Sequence, residues 1–261
     1  MQITVLTDNT AGKNLLAEHG LSYFIEHNGV CVLFDTGHSD VFMRNANKLG
    51  IDVQKQTDTI VMSHGHWDHG DGLQYLSQKP LITHPEAFKK RYRHNGSINI
   101  GLGLSKDELE EKFELTATDK PWEIGKQIIY LGEIPRVNGF ETRTTPFVDE
   151  KGYEDFVPDD SALAIINHEN ELVIISGCAH AGICNIINYA MEITGIKKVK
   201  AVLGGFHLKT NNEKTKKTIQ FLKDIQVKTV LPSHCTELPA LAAFHTAFKS
   251  EQVKTGNIYT F

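Results

Sequence analysis

In the stretch Ser63-His64-Gly65-His66-Trp67-Asp68-His69-Gly70-Asp71-Gly72, three histidines and an aspartate fall within the six residues 64–69. It directly follows a short apolar run that predicts a buried strand. Because neighbouring residues of extended backbone alternate sides, we expect His64 and His66 to reach one metal ion together. Asp68 and His69 lie where the chain is predicted to turn into a helix, and we expect them to face a second ion nearby.

The residue types in this stretch indicate which ions it takes. Imidazole and carboxylate ligands suit Zn²⁺, and Mn or Fe accept the same set, whereas Ca²⁺ and Mg²⁺ prefer oxygen ligands alone. The alternatives are a polar loop of hydrogen-bonded histidines and a closed structural zinc site. Structural zinc sites are usually rich in cysteine, and no cysteine lies near this stretch. The pattern therefore favours two divalent metal ions as cofactors, with Zn²⁺ as the expected ion.

Composition narrows the class of protein. The 261 residues are 40% hydrophobic and 23% charged, which is ordinary for globular domains and excludes a disordered or fibrous chain. The net charge of −5 argues against a nucleic-acid partner, and no apolar run approaches the ~20 residues of a membrane span. The four cysteines lack CxxC spacing and no signal peptide is evident, so we expect a cytoplasmic protein with a small-molecule substrate. No feature of the sequence indicates the oligomeric state.

Hydrophobic periodicity and turn residues predict an alternation of strands and helices, with hairpin turns at Asn28-Gly29 and Glu169-Asn170. Predicted strands cover 2–7, 21–27, 30–35, 58–62, 80–84, 127–131, 162–167, 171–176, 199–203, 228–231 and 257–261. Predicted helices cover 40–49, 69–77, 86–93, 181–194, 212–225 and 238–248. This order suggests an α+β fold with two sheets and helices outside them, a four-layer αββα sandwich. We expect one domain over 1–261, with an inserted cover segment at about 85–126 whose apolar content is too low for a core of its own.

Residues 63–72, which we call the metal loop, are accompanied by further motifs elsewhere in the chain that are typical of metal-binding proteins. The HxHxDH motif and Asp35-Thr36-Gly37 resemble the signature of the metallo-β-lactamase fold superfamily, which has this αββα fold. The motifs GCAHAG at 177–182, GGFHL at 204–208 and PSHCT at 232–236 are similar to one branch of it. Members of that branch are labelled 7,8-dihydropterin-6-methyl-4-(β-D-ribofuranosyl)-aminobenzene-5′-phosphate synthase-related proteins or metal-dependent hydrolases.

The resemblance implies a ligand set for each of two metals. The first metal would be held by His64, His66 and His180, and the second by Asp68, His69 and His234. Asp35 would support the metal loop. Each of these residues follows a predicted strand, so the loops that carry them converge on one rim.

One position departs from the superfamily pattern. An aspartate usually bridges the two metals after a strand and a glycine, but this chain has Cys178 there. Either Cys178 replaces the bridging ligand, or His180 takes an altered role. Asp160 is another candidate carboxylate for the bridge.

Two weaker signals concern the substrate. His207 follows a strand and two glycines, which favours a substrate-facing or general-acid group or a further metal ligand, against an ordinary loop histidine. Arg91 and Arg93 lie in the basic run 89–94 and are candidates for binding a substrate phosphate. The alternative for that run is a solvated helix face.

The favoured function is a binuclear metallohydrolase acting on a small ester, lactone or phosphoester. Two cations would lower the pKa of a bound water from ~16 toward ~7, and the hydroxide would attack the substrate. Asp68 would orient this nucleophile and His207 would protonate the leaving group. The branch label implies a pterin-related transferase as the alternative. A metal-binding sensor without turnover is the alternative of another class, and the intact HxHxDH motif argues against it.

Overall fold

Strands and α-helices alternate along the chain in the computed structural model, which describes residues 1–261. The strands are β1 (Gln2–Thr7), β2 (Ser22–His27), β3 (Val30–Phe34), β4 (Thr59–Val61), β5 (Pro80–Thr83), β6 (Arg91–Arg93), β7 (Glu114–Ala117), β8 (Trp122–Gly125), β9 (Ile128–Tyr130), β10 (Phe147–Asp149), β11 (Ala162–Ile166), β12 (Leu172–Ser176), β13 (Val199–Gly205), β14 (Thr229–Ser233) and β15 (Ile258–Thr260). The α-helices are α1 (Val41–Lys48), α2 (Val53–Gln56), α3 (Trp67–Gly70), α4 (Lys106–Lys112), α5 (Ile183–Thr194), α6 (Glu213–Asp224) and α7 (Leu238–Phe248). None of these helices combines the length and the apolar character of a membrane span.

The chain divides into two units, each with its own sheet. The first unit comprises Met1–Asp119, Thr144–Asp159 and Lys254–Thr260. Its seven-stranded sheet has the order β15-β1-β2-β3-β4-β5-β7, and β6 pairs with β10 in a separate two-stranded sheet. Strands β3, β4, β5 and β7 run parallel, so their carboxyl ends lie at one edge of the sheet.

Local sequence explains how the β2–β3 hairpin of the first sheet forms and how α1 packs on that sheet. The predicted hairpin is confirmed, because β2 and β3 pair antiparallel around Asn28 and Gly29, which both have positive φ. Apolar side chains from α1, such as Phe42, pack with Leu33 and Ile60 of the sheet in one buried cluster. Burying each such side chain contributes about 1.5–3 kcal/mol. The strands that precede the metal loop are thereby held on a packed core.

The second unit comprises Lys120–Arg143, Asp160–Val253 and Phe261. Its six-stranded sheet has the order β14-β13-β12-β11-β9-β8. Strands β12, β13 and β14 are parallel neighbours, while β11 and β12 form the predicted antiparallel hairpin. Residues of α5, α6 and α7, including Ile186, Leu222 and Phe244, form one apolar cluster with the sheet. Predicted helices and strands in this unit agree with the structure to within one or two residues at most boundaries.

The segment at 85–126 differs from its prediction in two respects. The predicted helix at 86–93 is wrong: a 3₁₀ turn at Pro85–Phe88 is followed by β6, which pairs with β10. Strands β7 and β8 also lie in this segment, where we predicted no strand. Strand β6 pairs with β10 and β7 pairs with β5, and local periodicity cannot report such distant partners. Strand β8 pairs with β9, which follows it directly in the chain. The single domain over 1–261 and the cover role of 85–126 stay predictions.

Candidate metal centre

Four predicted ligands of the first unit converge where β4 ends. Nε2 of His64 lies 2.9 Å from Nδ1 of His66, and Oδ2 of Asp68 lies 3.9 Å from Nε2 of His69. The rings of His64 and His69 have their centroids 4.3 Å apart. All four side chains belong to buried residues. The structure therefore brings together every candidate ligand that the HxHxDH motif supplies.

A second layer of hydrogen bonds orients two of these imidazoles. Nδ1 of His69 lies 2.7 Å from Oδ2 of Asp35, and Nδ1 of His64 lies 2.8 Å from Oγ of Ser63. Asp35 also accepts from the backbone N–H and the hydroxyl of Ser63, each at 2.7 Å. In both histidines the Nδ1 atom is engaged, so the Nε2 atom is directed toward the ligand cluster. Asp35, which follows β3, thus lies beneath the metal loop.

The protonation state of His64 favours metal binding. Its burial lowers its pKa well below the ordinary histidine value, and the neighbouring imidazoles of His69 and His66 lower it further. Asp68 acts in the opposite direction but does not reverse the shift. A neutral imidazole is the form that ligates a metal, so His64 presents a lone pair at neutral pH without first losing a proton.

A buried ion-pair network holds the backbone between the first two histidines. The guanidinium of Arg91 donates from Nε to Asp155 at 2.7 Å and pairs with both carboxylate oxygens of Asp159. Oδ2 of Asp159 in turn accepts from the backbone N–H of Gly65 at 2.7 Å. A Cβ atom at Gly65 would overlap the carbonyl of Ala87, so only glycine allows this close approach. The network fixes the loop that carries His64 and His66.

This network changes the interpretation of the basic run at 89–94. Arg91 is fully buried, and its donors point at protein acceptors, where we had expected them to bind substrate. Burial alone would lower the pKa of its guanidinium, but the carboxylates of Asp159 and Asp155 raise it, so it stays charged. Arg91 is therefore a support of the metal loop. Arg93, two residues on, is exposed, and its role in substrate binding stays a prediction.

Sequence reasoning missed one histidine near the metal loop. Nε2 of His19 lies 3.1 Å from Oδ2 of Asp68, and the His19 ring is tilted against Trp67 with centroids 5.5 Å apart. The ring of His38 also meets Trp67, edge-on, with the ring centroids 4.5 Å apart. No motif surrounds His19 in the sequence, so only the fold could bring it to Asp68.

The predicted site residues of the second unit follow the ends of three parallel strands. Ser176 of β12 pairs with Gly204 of β13, and Gly205 pairs with Ser233 of β14, so the three strands end within one residue of one another in register. The chain beyond these ends carries Cys178, His180, His207, His234 and Cys235. The rings of His180 and His207 have their centroids 4.5 Å apart. Parallel strands thus bring three separate motifs to one edge of this sheet.

The backbone at these strand ends is strained. Ala179, His207 and His234 have φ values of 52°, 48° and 50°, in the left-handed region that costs a non-glycine residue of the order of 1–3 kcal/mol. Oδ2 of Asp160 accepts from the backbone N–H of Ala181 at 2.8 Å and thereby holds the turn after His180. Strain of this kind is retained where the surrounding structure fixes it and is common at functional sites. A metal-bridging role of Asp160 stays a prediction.

Sulfur ligands also lie in the second unit. The ligand atoms of Cys178, His207 and Cys235 all lie within 4.8 Å of one another. Burial alone would raise the pKa of the Cys235 thiol, but the hydrogen bonds to Cys178 and His207 outweigh this and lower it. No two cysteines of the chain form a disulfide. The donors present, imidazole, carboxylate and thiol, fit a transition-metal ion such as Zn²⁺ and not an oxygen-seeking ion such as Ca²⁺.

Comparison with known proteins shows the family. Residues 16–234 match the model of the metallo-β-lactamase superfamily. The chain belongs to this superfamily, and the predicted fold class and the predicted family are both confirmed.

Individual relatives cover nearly the whole chain. An uncharacterized protein of Methanocaldococcus jannaschii is 35% identical over 92% of each chain. The 7,8-dihydropterin-6-methyl-4-(beta-D-ribofuranosyl)-aminobenzene-5′-phosphate synthase of the same organism is 32% identical, covering 100% of this chain and 97% of its own. A solved structure described as a metal-dependent hydrolase of the beta-lactamase superfamily has 32% identity and a TM-score of 0.87, covering 100% of this chain and 99% of its own.

The first prediction concerns the carboxylate beneath the metal loop. Asp35→Asn should lower metal affinity about 10–100-fold, the usual cost of losing an outer-shell partner. Three donors surround the Asp35 carboxylate, whereas asparagine offers one acceptor oxygen and turns its amide N–H toward a donor. Competition with a chelator measures the affinity. Asp58→Asn, which changes an exposed carboxylate of the same unit, is the control, and equal affinities for both variants would contradict the assigned role.

Proposed function

We propose that this protein is a metal-dependent hydrolase that cleaves a small ester, lactone or phosphoester. The observation that carries the proposal is the convergence of four buried ligands in the first unit, two of whose imidazoles are oriented by Ser63 and Asp35. A polar loop that binds no metal does not need four side chains with metal-binding atoms to converge in this way. The similarity to a metal-dependent hydrolase over the full chain supports the same class.

Each of the four candidate ligands of the first unit has a proposed role in holding the ions. His64 and His66 bind one divalent ion, and Asp68 and His69 bind a second. Asp68 would also orient the attacking water by accepting a hydrogen bond from it, and would take up the proton that the water loses. Divalent ions at such a site lower the pKa of a bound water and stabilise the negative charge of the transition state.

The second unit supplies the remaining proposed groups. By resemblance to the superfamily, His180 and His234 complete the two ligand sets, with Zn²⁺ as the expected ion. His207 is a candidate either for protonating the leaving group or for a further metal ligand, and Asp160 and Cys178 are candidates for a bridging position. Arg93 is the remaining candidate for contacting a substrate phosphate.

A pterin-related synthase is the second candidate function. It is favoured by the relative of that name, which is 32% identical and matches the whole chain. This reaction class joins a dihydropterin that carries a leaving group on its 6-methylene carbon to an aromatic compound, with loss of that leaving group and a proton, whereas hydrolysis consumes one substrate and water. Incubation with such an activated dihydropterin and a ribofuranosylaminobenzene phosphate, followed by mass spectrometry of the product, distinguishes the two.

We expect metal-dependent turnover in a panel of chromogenic phosphodiesters, lactones and esters. Activity should disappear on treatment with a chelator and return on addition of Zn²⁺ or Mn²⁺, because the proposed ligands hold the ions reversibly. The turnover rate is measured by spectrophotometry before chelation, after chelation, and after Zn²⁺ is added back. Turnover that survives complete removal of metal would contradict the proposal.

A further inference from the structure

Three side chains with metal-binding atoms occupy equivalent places at the edge of the second sheet. Strands β12, β13 and β14 are parallel neighbours that end at Ser176, Gly205 and Ser233. Because Ser176 pairs with Gly204 and Gly205 pairs with Ser233, these ends lie within one residue of one another in register. Cys178, His207 and Cys235 each follow the end of their strand by two residues, so they leave the sheet at the same edge. The parallel pairing of the three strands therefore brings Cys178, His207 and Cys235 to the same edge of the second sheet.

The three side chains are also close enough to share one ion. Their ligand atoms all lie within 4.8 Å of one another, and Cys178 is buried. The backbone N–H of His207 donates to Sγ of Cys235 at 3.2 Å, a contact that stabilises negative charge on the sulfur. A Cβ atom at Gly205 would lie 2.6 Å from Sγ of Cys235, so glycine is required for the sulfur to occupy this position.

We propose that Cys178, His207 and Cys235 form a thiolate-containing ligand group for a thiophilic divalent ion such as Zn²⁺. Two sulfurs and one imidazole are a set that zinc accepts and that calcium or magnesium does not. Each cysteine that ligates the ion gives its thiol proton to solvent, since the thiolate is the ligand. His207 then acts as a metal ligand and not as a general acid. This proposal deepens the proposed metal-dependent function and rests on it.

Cobalt substitution provides the test, because Co²⁺ takes zinc ligands and reports them by absorption. Metal-free protein titrated with Co²⁺ should develop a thiolate-to-cobalt charge-transfer band in the near ultraviolet, together with visible ligand-field bands. Cys178→Ser and Cys235→Ser should each weaken the charge-transfer band, and the double variant should lose it. Cys31→Ser and Cys184→Ala are matched controls, since these cysteines lie outside the group, and they should keep the band.

The outcomes separate this proposal from the proposed function. Cobalt binding with ligand-field bands but no charge-transfer band in the wild-type protein would overturn the thiolate group and leave the metal-dependent function standing. An absence of any cobalt binding would overturn both. If a serine variant fails to fold, the wild-type spectrum still decides, and His207→Ala should shift the ligand-field bands of the bound ion.

Discussion

Replacing His64 and Asp68 together by alanine is expected to remove most of the bound metal and to abolish metal-dependent hydrolysis. His64 contributes Nε2 beside Nδ1 of His66, and Asp68 contributes Oδ2 beside Nε2 of His69, so the double variant takes one ligand from each proposed ion. Loss of a direct ligand should exceed the ~10–100-fold loss in affinity that follows loss of an outer-shell partner. Elemental analysis of the dialysed protein measures the metal content, and the chromogenic panel measures turnover.

A matched control separates ligand loss from general damage. His94 is an exposed histidine of the same unit and lies outside the ligand group, so His94→Ala should keep wild-type metal content and activity. Circular dichroism of the double variant should show that the fold persists, because the core clusters of both units are untouched. Unchanged metal stoichiometry in the folded double variant would show that the ligand assignment is wrong.

Arg91→Met is expected to destabilise the metal-free protein by about 3–5 kcal/mol, the usual cost of removing one partner of a buried ion pair. The variant keeps most of the side-chain volume but leaves the carboxylates of Asp155 and Asp159 buried without their cation. Because Asp159 also holds the N–H of Gly65, the metal loop should loosen as well. Urea unfolding followed by circular dichroism measures the free energy of unfolding.

The neighbouring arginine provides the control for this prediction. Arg93 is on the same short strand but exposed, so Arg93→Met should change stability by less than about 1 kcal/mol. Adding Asp159→Asn to Arg91→Met should recover part of the lost stability, since it removes one of the two uncompensated charges. An unfolding midpoint for Arg91→Met equal to that of wild type would refute the structural role of the network.

Local sequence patterns predict most of the strands, the first hairpin and the cluster of candidate metal ligands in this protein. The apolar runs predicted all but one strand of each large sheet, and Asn28-Gly29 predicted the hairpin that the structure confirms. The HxHxDH motif, placed directly after a strand, predicted a cluster of side chains that the structure brings together. These predictions succeeded because periodicity, turn geometry and ligand spacing are properties of residues that are neighbours in the chain.

The failures share one cause, which is dependence on partners distant in sequence. Strand β6 was predicted as a helix, because its pairing with β10 is invisible from its own residues. Arg91 was expected to bind a substrate phosphate, because Asp155 and Asp159 are far from it along the chain. The sequence does not single out His19 for the same reason, although its Nε2 lies 3.1 Å from Oδ2 of Asp68.

The sequence by itself determined which residues can bind metal and which strands precede them. Side-chain type and strand periodicity depend only on residues that are close together in the chain. Tertiary structure decided how those residues are held: Asp35 beneath His69, Arg91 beneath Gly65, and the sulfurs of Cys178 and Cys235 beside His207. Hydrogen bonds and ion pairs act over a few ångströms in space whatever the separation along the chain. Only the pairing and packing of the strands set those distances.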